Sequence, residues 1–332
     1  MYSHVRPVAT ADLDVNVMSA HRFRINRRSF VTTAAPFALS LPIAARAQTL
    51  FERGGFSDEQ LPLVRERLLK QVNTERLAAG LGALQLDDLA STVATRHAHE
   101  MVEEDFLSHW GLDGSTPYQR YSFAGGTAAI QENCSAAENI ESISPLRIFD
   151  DLRDMHQSMI DEAPPHDGHR RTILDPFHTH VGFGAALKRH SLRLDEIYLA
   201  SYIKLDRIVP EAKPGATIVV SGHLLNAQHF VTEIAVFYEP PSKPPDISWL
   251  RTPRSVSFPD DVLRLRPRAP GELFYSDGSR GDFDWNHNGW FRARVRLYKP
   301  DPGIYTIVCM VRRVPADKGF PGAQVCIRSV RS

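Results

Sequence analysis

Near Pro210 the apolar residues change their spacing, and this limits the chain to folds with two differently built parts. Between residues 57 and 190 they recur at intervals of three and four, the period that lines one helix face. Leu61, Val64, Leu68 and Val72 form one such stripe. Ser57 with Gln60 three places later predicts a capping box at its start, and Gly80 and Gly82 close it. Leu89, Val93, His97 and Met101 make a second stripe after Asp87-Asp88. A third helix is expected over Pro145 to Ile160, carrying Leu146, Phe149, Leu152 and Met155. A short fourth starts near Gly168, buries Ile173 and Leu174, and stops at Pro176. "HVGFGAAL" (180–187) and "EIYLASYIKL" (196–205) read as strands. Beyond Pro210 the period falls to two, in "ATIVVSGHLL", "VTEIAVFYEP", "SVSFP", "GELFYS", "WFRARVRLY", "IYTIVCMVRR" and "AQVCIRSV". About seven short strands between Pro, Gly and Asp clusters predict a β-sandwich of immunoglobulin-like type over 210–332. The expected fold class is α+β followed by all-β.

At 332 residues the chain has room for two domains. Lys plus Arg and Asp plus Glu both number 39, so no bulk field favours nucleic acid, and none is expected as a partner. Residues 1–47 read as a leader. Arg27-Arg28-Ser29-Phe30 precedes a mild apolar run from Val31 and an Ala45-Arg46-Ala47 cleavage pattern, a twin-arginine type of export signal. The run is shorter than the ~20 residues a membrane span needs. Export to the periplasm or the exterior is expected, with no transmembrane segment. Three cysteines, Cys134, Cys309 and Cys326, are too few for a disulfide scaffold. Cys309 and Cys326 lie in neighbouring strands, where a bridge and two free thiols are both open.

Histidines are the chemically suggestive residues. His166 and His169 in "PPHDGHRRTILDP" are three apart, but the glutamate of an H-E-x-x-H zinc motif is missing. His97 and His99 cannot converge on a helix, whereas His178 and His180 could share a strand face. Arg170 and Arg171 read as a solvated pair. In "GDFDWNHNGWF" (281–291) the alternating Asp and Asn resemble a calcium loop, although a turn explains them equally and the closing glutamate is absent.

Several segments stand in an order that resembles the CAP superfamily, the cysteine-rich secretory, antigen-5 and pathogenesis-related domain, in its bacterial SCP form. They are Asn73 and Arg76, Leu84, His109 after Phe106, Glu132-Asn133, and Gly168-His169-Arg170 leading to Val181-Gly182-Phe183-Gly184. The resemblance covers residues 57–206 and implies a three-layer α-β-α sandwich with a central cleft. It also implies two cleft histidines, His109 and His169, with a glutamate matched by Glu132 or, in "AAENI", by Glu138. Glu132 is preferred because Ile130 marks a strand before it. A second family glutamate has no clear match on the third helix, where His156 or Asp154 could fill the space. His109, Glu132 and His169 are thus the candidate metal ligands, for zinc or another divalent cation. The expected role is non-enzymatic binding of a ligand, a lipid or a cell-envelope component. Metal-assisted hydrolysis of peptide or cell-wall material, and adhesion through the β-sandwich, are the alternatives.

Overall fold

A computed structural model describes residues 20–23, 56, 60–140, 144–271, 273–315 and 318–331. The proposed capping box at Ser57 and nearly all of the leader lie outside them.

The first half is a three-layer α-β-α sandwich. Its sheet runs in the order β1 (Ala20–Phe23), β3 (Ala129–Ala137), β5 (Ser191–Ala200), β4 (His180–Lys188), β2 (Gln85–Leu86). Helices α1 (Gln60–Ala78), α4 (Pro145–Ile160) and α5 (Gly168–Ile173) cover one face; α2 (Asp88–Glu103) and α3 (Pro117–Phe123) cover the other. On the first face Val64, Leu68 and Val72 of α1 and Ile148, Leu152 and Met155 of α4 meet Val181, Phe183 and Leu194. Leu146 stands outside this core at 72% exposure; Ile148 takes the inward place instead. On the second face Gly182 and Gly184 let α2 sit against the sheet. A Cβ on Gly184 would come within 2.1 Å of the Ala94 carbonyl carbon.

Local polar contacts fix the helix ends. Asp87 caps α2 by accepting from Ala90 N at 2.7 Å. Asn73 exchanges two hydrogen bonds with the Leu84 backbone, at 2.9 and 2.7 Å. Arg76, although charged, is 1% exposed and donates to the carbonyls of Gly82, Ile173 and Asp175, tying the end of α1 to α5.

The second half is a β-sandwich. One sheet has the order β10 (Val262–Leu265), β9 (Phe230–Glu239), β13 (Gly303–Arg312), β14 (Phe320–Ser329), β7 (Glu211–Ala212). The other has β11 (Asp284–Trp285), β12 (Trp290–Arg296), β8 (Thr217–Leu224), β6 (Ile203–Leu205). Val220, Phe291, Val236 and Ile307 fill the space between them. "SVSFP" and "GELFYS" do not form strands; Leu273 and Phe274 of the latter are exposed. A short helix, α6 (Ile247–Leu250), follows β9. Residues 286–289 form the β11–β12 turn: Asn286 Oδ1 accepts from Asn288 and Trp290, Gly289 has φ +82°, and Asp284 pairs with Arg268. The turn accounts for these Asp and Asn residues without calcium. All three cysteines are buried and free, and Cys309 lies opposite Ala323 rather than Cys326.

The halves pack together through β14. Cys326 N donates to Ser122 Oγ at 2.7 Å, Gln324 N donates to Thr127 O, and Ile304 and Cys326 join Tyr118 and Tyr121 in one apolar cluster.

Candidate functional site

His109 follows α2 in a loop and is 0% exposed. Its Nδ1 lies 2.8 Å from Glu132 Oε2 on β3. With that carboxylate ionised, Nδ1 carries the hydrogen and Nε2 holds the lone pair; Nε2 is buried and has no hydrogen-bond partner. Burial depresses the basicity of His109 despite the pull of Glu132, so the ring is neutral.

Glu132 is heavily engaged. Arg120 of α3 donates to its Oε1 at 2.5 Å, and the Cys134 thiol donates to its Oε2 at 3.3 Å. Burial alone would raise the Glu132 carboxyl pKa, but the Arg120 guanidinium and the His109 hydrogen bond outweigh it and hold the acid well below its usual range. Arg120 also donates to the carbonyls of His109 and Ser115, so one cation locks the His109 loop to β3.

His169 stands at the start of α5, also 0% exposed. Its Nδ1 is 2.5 Å from Glu162 Oε1, and its backbone N donates to Glu162 Oε2. Burial pushes the Glu162 carboxyl up, but the hydrogen bonds from the His169 ring and backbone bring it below its ordinary value. Asn133 Nδ2 donates to the His169 carbonyl at 3.2 Å, which connects α5 to the strand that carries Glu132.

The other sequence candidates go elsewhere. Glu138 binds Ser191 Oγ and Arg193, away from His109. Asp154 is an exposed partner of Arg153. His166 is exposed on the loop before α5. His178 Nδ1 donates to the Thr172 carbonyl at 2.9 Å, and His180 Nδ1 lies 2.8 Å from the Thr179 hydroxyl. His156 belongs to a different buried group: its Nδ1 faces Glu196 Oε1 at 2.7 Å and its Nε2 faces Glu75 Oε2 at 2.8 Å. Burial opposes its charge, but the two carboxylates prevail and raise its pKa to about 10. It is an imidazolium clamped between acids. Tyr198 OH satisfies the remaining Glu196 oxygen at 2.8 Å.

One further set was not foreseen from the sequence. Ligand atoms of His97, Glu132, Cys134 and Asp195 all lie within 4.8 Å of one another, and each residue is buried. It is the group of three or more such atoms among the described residues that is gathered closely enough for an ion. Register explains it: Cys134 pairs with Asp195 and Glu132 with Ile197, so these side chains share the α2 face of the sheet. Alternation along β3 was the available signal. Arg120, Glu162 and Asp195 were missed because each reads locally as a surface charge.

A cavity of about 610 Å³ lies between the halves, lined by Arg96, Glu100, Gln119 and Arg120 on one side and by Ser242 and Arg328 on the other. Among the described residues no helix is long and apolar enough to cross a membrane.

Residues 69–201 match the profile of the CAP family, the cysteine-rich secretory protein family. Among solved structures, the chain is similar to an outer surface protein from Borrelia burgdorferi, at 18% identity and a TM-score of 0.34, over 44% of this chain and 96% of that one. An extracellular protein containing an SCP domain from Bacillus anthracis str. Ames matches at 18% identity and a TM-score of 0.32, over 42% of this chain and 40% of that one. A cysteine-rich secretory protein from Staphylococcus aureus subsp. aureus Mu50 matches at 17% identity and a TM-score of 0.29, over 44% and 41%. No curated protein matches the chain.

Proposed function

Residues 69–201 are a CAP domain, and from that premise we propose that the chain is an exported protein whose His109–His169 cleft binds a ligand, lipid or cell-envelope partner without turning it over. The observation that carries the reading is His109 itself. Its ring is fixed by a carboxylate at Nδ1, and its Nε2 is buried without a partner. That is how a histidine is prepared to receive a ligand group or an ion, because the outer hydrogen bond sets the tautomer and the ring direction.

For a divalent cation such as zinc, His109 Nε2 would be the donor and His169 the second imidazole, and the ion would supply a Lewis-acidic point for a ligand oxygen. Glu132 fits better as the group that orients His109, since Arg120, His109 and Cys134 already occupy its oxygens. The same engagement favours binding over catalysis. A general base needs a pKa near the working pH, and Arg120 keeps Glu132 far below it. The twin-arginine pattern at Arg27-Arg28-Ser29-Phe30 supports export, periplasmic or beyond.

Metal analysis and lipid extraction with mass spectrometry on the purified chain test the reading. Expected is a retained lipid, or an equivalent of ion beyond any held elsewhere in the chain, in the wild type that is lost in His169→Ala. Finding neither in the wild type, or equal retention in the variant, contradicts it.

A further inference from the structure

We propose that His97, Cys134 and Asp195, with Glu132 as a fourth donor, form an interior site for a thiophilic divalent cation, zinc above all. The inference goes beyond the cleft reading and does not depend on it.

Asp195 carries the argument. It is 0% exposed, and neither carboxylate oxygen has a hydrogen-bond partner. An isolated buried carboxyl is costly, and native proteins pair such groups, neutralise them or place them on a metal. The nearby cation does not pair with it: Arg120 places its Nη2 on Glu132 and its Nη1 on two backbone carbonyls. His97 adds a nitrogen donor. It is 0% exposed, its Nε2 donates to the Ser108 carbonyl at 2.8 Å, and its Nδ1 has Glu100 Oε2 as a neighbour at 3.5 Å, at the outer limit of a hydrogen bond.

The donor types select the ion. One thiol, one imidazole and carboxylate oxygens are zinc's ligand set, whereas magnesium and calcium take oxygen alone. The four atoms lie within 4.8 Å of one another. Tetrahedral zinc, with bonds of about 2.0–2.3 Å, needs ligand atoms about 3.3–3.8 Å apart, so the group closes by roughly an ångström on loading.

A divalent cation binds here as its thiolate and carboxylate complex, displacing the Cys134 thiol proton, and the Cys134 and Asp195 anions balance its two charges. The departing thiol proton is the one now donated to Glu132 Oε2, so the exchange also frees an oxygen lone pair for the ion. A route in is at hand. Glu100 lines the cavity between the halves, and its Oε2 lies 3.5 Å from His97 Nδ1.

Cobalt(II) is the probe, added to the purified full chain. Expected is one tightly held ion with a near-ultraviolet thiolate-to-cobalt charge-transfer band, in the wild type and equally in His169→Ala. Cys134→Ala abolishes the band. Asp195→Asn weakens cobalt by more than the roughly 10–100-fold that loss of an outer hydrogen-bond partner costs. Absence of a thiolate band in the wild type overturns the proposal. So does an ion lost in His169→Ala yet kept in Asp195→Asn, which would place it in the cleft. If Asp195→Asn fails to fold, the wild-type and Cys134→Ala spectra decide the matter alone.

Discussion

Asp195 and Glu196 are neighbours on β5, both 0% exposed, and they send their carboxyls to opposite faces of one sheet. Toward α1 and α4, Glu196 meets His156 and the Tyr198 hydroxyl, and Glu75 closes the far side of the imidazole. Toward α2, Asp195 meets His97, Cys134 and Glu132, and neither of its oxygens is bonded. The sequence places two identical kinds of charge one residue apart, and the fold completes one network while leaving the other short of a cation. A finished buried ion network is costly to break by removing one partner; an unfinished one leaves a polar group buried at a cost.

Breaking the finished side has the largest expected effect. His156→Ala leaves Glu75 and Glu196 without their cation, which costs about 3–5 kcal/mol when one partner of a buried pair is removed. A urea midpoint in the variant close to that of the wild type would mean the network carries little.

The same network sets a pH dependence. His156 has a folded pKa of about 10 against an ordinary 6.5. A raised histidine pKa gives stability that is fully present below the unfolded value and is lost as pH rises through the folded one. Stability should therefore decline from about pH 6.5 toward pH 10. His156→Gln should flatten that slope, as denaturation midpoints across the range can show.

Gly184→Ala probes how α2 closes over the unfinished side. Its Cβ would meet Ala94 and Thr95 backbone at 2.1 Å, and overpacking of this kind costs about 1–3 kcal/mol. A variant as stable as the wild type would show that α2 can lift away. The smallest effect belongs to Asp195→Asn without metal. Removing a buried carboxyl that lacks partners should change stability by about 1 kcal/mol at most, or raise it. A loss as large as that of His156→Ala would show that Asp195 is held by contacts other than those described.

Much of the architecture was legible because periodicity reports burial. The stripe Val64, Leu68, Val72 is as expected, and α2 starts beside Asp87-Asp88 as read. A mixed half is followed by a largely β half, but β6 (Ile203–Leu205), read with the first half, pairs with β8 of the second. Periodicity failed where neighbouring residues compete for the same face. Leu146 and Ile148 both suit α4, and packing against the sheet selects Ile148. "GELFYS" alternates like a strand, yet its Leu273 and Phe274 find no apolar surface to cover.

The site was less legible. A resemblance could place His109, Glu132 and His169, but spacing cannot reveal that Arg120, from a helix, reaches back to Glu132. Glu162 lies beyond α4, and only the loop's return brings it to His169. The expected strand begins at Glu196 and leaves Asp195 outside it. β5 in fact begins at Ser191, and register with β3 and β4 buries both acids.

The contrast between the two carboxyls is tested most directly by urea denaturation with and without zinc, in a His169→Ala background that removes the cleft. Zinc is predicted to raise the midpoint of that background and of its Glu196→Gln derivative, and to leave the Asp195→Asn derivative unmoved. Equal stabilisation of all three chains, or of none, would contradict the account.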